Sequence, residues 1–173
     1  MRPLTGPAPL PVAAVSVVGR GGELLFFRAF VGGGADEALL LQLACFSSLD
    51  AMDERVPARA IPQAAAAPGG STQPSSGFLG LLLPVEDYKV FGFATPTGVR
   101  ILVAVRDVLL REDRVREMFA KLHRAYVDAA AAAFAPAEAE GAPFALAAFG
   151  GAVARIVADS NSAILYLGPV PFS

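Results

Sequence analysis

The chain of 173 residues contains a single cysteine, Cys45, and a single histidine, His123. One cysteine excludes an intrachain disulfide and points to a reducing compartment. Two such residues in separate segments do not make up the several Cys or His ligands of a zinc site. They also fail as a nucleophile and base. His123 falls in a helical pattern beside Arg124 and close to Lys121, while Cys45 lies between Ala44 and Phe46 without the electropositive setting that activates a thiol. Charge is scarce as well: 17% of residues are charged and the formal net charge is −2, so no overall field recruits nucleic acid or an anionic membrane. No apolar run approaches the roughly 20 residues of a spanning helix. The longest candidate, "FALAAFGGAVA", is short and broken by glycines. At the N-terminus a faint imitation of a signal peptide is interrupted by Pro3, Pro7, Pro9 and Pro11. The expectation is a soluble chain with no cofactor and no metal.

What is present is apolar sequence, 54% hydrophobic residues, much of it alanine, in a length suited to one domain. Residues 12–18, "VAAVSVV", are apolar on both faces, as a strand covered on both sides requires. "GRGG" turns the chain and "ELLFFRAFV" returns as a hairpin partner. After "GGG", Asp36 and Glu37 open a helix at its positive end. Its expected core stripe is Leu39, Leu43, Phe46, Leu49, Met52 and Val56, and Pro57 is expected to stop it. Residues 57–76, rich in proline and alanine, read as a mobile surface insertion. "GFLGLLL", "DYKVFGFAT" and "VRILVAVRD" then form a meander. In it Tyr88, Val90 and Ala94 share one face, Lys89, Phe91 and Phe93 the other. Val99, Ile101, Val103 and Val105 likewise oppose Leu102 and Ala104. Both faces need covers. "REDRVREMFAKLHRAYVDAAAAAF" and "PFALAAFGGAVARIVA" supply two more helices, and "DSNSAILYLGPVPFS" is left as an edge strand or a loose tail. The expected division is a tail at 1–11, one domain at 12–157 and a C-terminal tail at 158–173.

Most polar motifs reduce to scaffold. "GRGGEL" has Leu24 where a dinucleotide fingerprint needs its last glycine, and a strand follows it rather than a helix. Glu86 and Asp87, adjacent in extended sequence, point to opposite faces and suit a connecting turn better than an acid–base pair. "SLDAMDERV" is different. It places Asp50, Asp53 and Glu54 toward the end of the first helix, where Asp50 and Glu54 repel across one turn and only Arg55 obviously offsets them. These three carboxylates are the candidate partner interface, an acidic patch for a cationic neighbour.

Three segments carry a family resemblance: "SSLDAMDERV" (47–56), "FLGLLLPVEDYKVFGFAT" (78–95) and "LREDRVREMFAKLHRAYVD" (110–128). They resemble the sedlin family of the TRAPP vesicle-tethering complex, in its subunit 2-like branch, over about Val12 to Val157. The resemblance implies an α+β longin-like (SNARE-like) fold, a five-stranded antiparallel sheet with one helix on one face and two on the other. It implies a non-catalytic adaptor that binds other small longin-fold TRAPP subunits and large ones. Such an adaptor serves a Rab GTPase indirectly, through the complex's exchange activity, and sits peripherally at Golgi and ER–Golgi membranes. It places Asp50, the aspartate of the family's Leu-Asp motif, at or near a subunit interface. The insertion at 57–76 and the tail past Val157 depart from the family pattern, as does Phe149-Gly150-Gly151 in the last helix. A small subunit of a vesicle coat adaptor, or a SNARE-regulatory longin domain, would share the same fold.

Overall fold

The computed structural model describes residues 12–60, 77–107, 111–133 and 146–165. The elements run β1 (Val12–Val18), β2 (Leu24–Ala29), α1 (Gly34–Ala60), β3 (Phe78–Val85), β4 (Tyr88–Ala94), β5 (Arg100–Arg106), α2 (Glu112–Ala133) and α3 (Leu146–Leu165). The five strands make one antiparallel sheet in the order β2-β1-β5-β4-β3. The α+β longin-like fold expected from sequence is the fold observed.

Every residue of β1 is buried, as are Ile101 to Val105 of β5. These two strands lie inside the sheet and have helices above and below. The two faces differ in side-chain size. Toward α2 and α3 the sheet presents valines and aromatics: Val15, Val17, Phe26, Phe78, Phe91, Phe93, Ile101 and Val103. Phe119 of α2 packs among them, with ring centroids 5.6 Å from Phe78 and 5.9 Å from Phe93, and Phe149 of α3 meets Phe26 edge-on at 4.9 Å. Toward α1 the central strands carry small residues, Ala13, Ala14, Gly92 and Ala104. A Cβ added at Gly92 would stand 2.5 Å from Leu82 Cδ1 and 3.3 Å from Met52 Sδ, so the helix lies close on this face. Large side chains on one face call for two helices; small ones on the other admit a single helix. The face assignments read from alternation in β4 and β5 agree with both clusters.

Three expectations are corrected. The core stripe of α1 is Leu41, Ala44, Cys45, Ser48 and Met52, whereas Leu39, Leu43, Phe46 and Val56 are exposed. Two sets on α1 fit a helical period, and side-chain bulk alone favours the larger one. The sheet beneath is lined with small residues and selects the slimmer set, Ala44, Cys45 and Ser48. Ser48 meets its own need by donating to the Ala44 carbonyl at 2.8 Å. Next, Pro57 does not stop α1, which continues to Ala60. A proline this near the C-terminus removes one ladder donor, and the turn after it still closes. Finally, α3 continues to Leu165, past Val157 and through the first seven residues of "DSNSAILYLGPVPFS", for which the sequence suggests an edge strand or a loose tail. Asn161, buried on that extension, accepts the amide of Val12 at 3.4 Å and so ties the helix to the start of β1. The N-terminal tail at 1–11 and the insertion from 61 to 76 lie outside the described residues.

The phase of α1 is directly testable by chemical unfolding. Leu41→Ala is expected to cost about 2–5 kcal/mol, as for a buried leucine, whereas Leu43→Ala stays within about 0.5 kcal/mol of wild type. Equal costs for the two would place the wrong face on the sheet.

Candidate functional site

Three of the large hydrophobic side chains exposed among the described residues stand in one row on α1. Leu39 is 65% exposed, Leu43 66% and Phe46 37%. They follow one another by four and three residues, and the same row runs on by four and three to Asp50 and Asp53. A single ridge about 20 Å long is therefore apolar in its first half and acidic in its second. Isolated exposed leucines need no explanation, but an aligned row bordered by charge is a feature that asks for one.

The three carboxylates singled out from sequence do not act alike. Asp53 Oδ1 pairs with Arg100 Nη2 of β5 at 2.7 Å, so it pins α1 to the sheet while remaining half-exposed. Asp50 and Glu54 are exposed and form no ion pair among the described residues. Arg55, expected to offset the acids, turns the other way: its Nη1 donates to the carbonyls of Leu79 at 3.0 Å and Leu81 at 2.6 Å. Because α1 runs on to Ala60, these acids stand more than a turn before its end. The dipole cost expected for them falls off over that distance.

A second polar group, spread over three elements, was not visible as a unit in the sequence. Glu37 of the first turn of α1 accepts the hydroxyl hydrogen of Tyr88 at the start of β4, and Arg106 at the end of β5 approaches the same carboxylate oxygen at 3.7 Å. The Arg106 guanidinium also lies 5.7 Å from the Tyr88 ring centre. Burial, then the hydrogen bond to Glu37, pushes the Tyr88 hydroxyl above its ordinary value of 10.0. Beside it, Glu86 and Asp87 form the two-residue turn between β3 and β4, both exposed, and Glu86 takes a φ of 50° where such hairpins commonly use glycine. Lys89 pairs with Asp107 at 2.5 Å rather than with either turn carboxylate. The charged knot is a corner of the scaffold. Cys45, under α1, is held as a neutral thiol, its pKa pushed up to about 12 by burial.

One signal in the sequence separated the exposed row from the core: the period that carries Leu39, Leu43 and Phe46 lands on Asp50 and Asp53. Carboxylates are almost never fully buried unless paired. The partners Arg100 and Arg106 come from β5, distant in sequence, and their pairing required the strand order.

A five-stranded antiparallel sheet between one helix and two defines a longin-like domain, here with an amphipathic ridge outward on the single helix. The chain belongs to the sedlin family, whose model matches residues 17–158. Trafficking protein particle complex subunit 2-like proteins are similar to it. The Dictyostelium discoideum protein is 29% identical over 120 residues, 68% of this chain and 77% of its own length. The Bos taurus protein is 30% identical over 116 residues, 66% and 76% respectively. The Rattus norvegicus protein reaches 45% identity over 53 residues, 30% of this chain and 38% of its own.

The Tyr88 cluster sets an alkaline limit. The folded state holds the Tyr88 proton above pH 10.0, where the unfolded chain loses it. That contribution is complete below pH 10.0 and is lost as pH rises through the folded value. Tyr88→Phe is expected to cost about 0.5–1.5 kcal/mol at neutral pH and to flatten the decline of stability above it. Urea midpoints measured across the alkaline range check this; an unchanged slope in the variant would remove Tyr88 as its source.

Proposed function

We propose that this chain is a non-catalytic adaptor subunit of a trafficking protein particle (TRAPP) complex, acting through the ridge on α1. The single observation that carries the reading is the aligned row Leu39, Leu43, Phe46, Asp50 on the one helix covering its face of the sheet. Sedlin-family membership and the subunit 2-like relatives say which assembly it would join. The apolar half of the ridge gains by burial against a neighbouring subunit, at roughly 25 cal/mol per Å² of apolar surface removed from water. Asp50 and Glu54 confer register by meeting a cation on that neighbour. Asp53 contributes charge while held by Arg100. The neighbours would be other small longin-fold subunits together with the large ones. In this role the chain supports Rab GTPase exchange by the whole complex without carrying the chemistry itself. It would reach Golgi and ER–Golgi membranes peripherally, through the complex, from the cytoplasm.

Gentle-salt purification of the tagged chain from its own cells, followed by mass spectrometry, tests the assembly. Recovery of small longin-fold subunits with large trafficking-complex chains is expected. Recovery alone, or with coat or SNARE components, refutes the reading. Asp50→Lys and Leu43→Glu should each fold normally and lower recovery of the neighbour about tenfold or more, the equivalent of about 1.4 kcal/mol. Undiminished recovery with both variants would move the interface off α1.

A further inference from the structure

A sheet edge carries unpaired amides and carbonyls that invite another strand, and folded proteins block such edges. The open sheet here has two, β2 and β3. β3 is eight residues long, and the side chain of Leu81 on it is 39% exposed, so it is the longer template. Its carbonyls at Leu79 and Leu81 both accept from one nitrogen, Nη1 of Arg55, and so point to the same side. That side is the one no described strand pairs with. Leu81 stands opposite Phe91, between the pairs Gly80–Gly92 and Leu83–Val90. Counting back along the ladder from the two-residue turn after Val85, with one extra residue at the register shift between Leu81 and Leu83, puts the Leu81 carbonyl outward. The extra residue at the shift between Phe78 and Gly80 leaves the Leu79 carbonyl outward too. Gly80 at φ 78° and Pro84 further roughen the strand.

We propose that Arg55 is an edge guard: its guanidinium occupies the two outward carbonyls of β3 that antiparallel pairing with β3 of a second copy would use. The contact is intramolecular and supplied by the helix that covers one face of the sheet, so the edge stays closed as long as the last turns of α1 stay docked. A guanidinium suits the task because it bonds both carbonyls and places a charge on the edge, where a partner strand would have to desolvate it. This explains why Arg55 leaves Asp50 and Glu54 unpaired although it sits beside Glu54 in sequence: its donors are committed to the strand. The inference is independent of which protein binds the outward ridge, since Arg55 points to the sheet.

Sedimentation velocity on the full chain across a range of concentrations tests it. Wild type is expected to remain monomeric, and Arg55→Ala to associate about tenfold or more tightly, its average mass rising toward that of two chains. Arg55→Ala combined with Leu81→Lys, which returns a charge to the edge, should restore the monomer. A folded Arg55→Ala that stays monomeric overturns the proposal, and so does association that the double variant does not reverse. If Arg55→Ala does not fold, Arg55→Met serves in its place: it keeps an unbranched apolar stem against the strand but has no donor and no charge. Measurable dimer is expected, reversed by adding Leu81→Lys, and a folded Arg55→Met that stays monomeric at every concentration overturns the guard.

Discussion

The structure depends on one constraint: the central strands are apolar on both faces, so the sheet must be covered on both sides at once. β1 and β5 have no face that tolerates water. At roughly 25 cal/mol per Å², leaving either face open would forfeit more than the net stability of an ordinary domain. The division of labour follows from side-chain size. The face of valines and phenylalanines takes two helices, and the face of alanines and Gly92 takes one, which touches all five strands. A helix that alone covers a whole sheet face has an outer side that no other described element covers. The ridge on α1 is that outer side.

Where apolar cover runs out at the ends of α1, polar contacts take over. Glu37 at the first turn reaches Tyr88 and Arg106; Asp53 and Arg55 near the other end reach β5 and β3. Together they join the helix to β3, β4 and β5, so sliding the helix along the sheet would break several at once. Individually these half-exposed pairs contribute little, since solvent screens them. Their value lies in fixing the position of a helix whose slim inner face of Ala44, Cys45 and Ser48 would otherwise fit several placements on a floor of small residues.

Much of this was legible in the sequence, and each failure has its own physical cause. Strand alternation in β4 and β5 was readable because both faces are buried and Phe91, Phe93, Ile101 and Val103 all fall on one of them, so the period of two leaves one solution. The helix phase was not, because α1 carries two apolar rows and hydrophobicity alone prefers the bulkier one. Met52 and Leu49 fell on the correct side, while Leu39, Leu43 and Phe46 fell on the wrong one. The acids Asp50 and Asp53 were found but not the leucines in line with them, although the two halves belong to one row. Arg100 as the partner of Asp53 was out of reach, because their meeting depends on β5 lying at the centre of the sheet. The reach of α3 to Leu165 was hidden by "DSNS", residues with weak helical preference that here gain by Asn161 holding the first amide of β1.

The placement of Cys45 has a further consequence. It is the only thiol in the chain, it lies on the inner face of α1, and burial keeps it neutral. An oxidant or electrophile therefore meets no reactive sulfur while the helix is seated, and the domain is silent toward redox conditions that would alter an exposed thiolate. The same placement makes this sulfur a built-in clock for one motion. It becomes reachable only when α1 lifts from its floor of alanines, so its rate of modification measures how often the single helix on that face lets go.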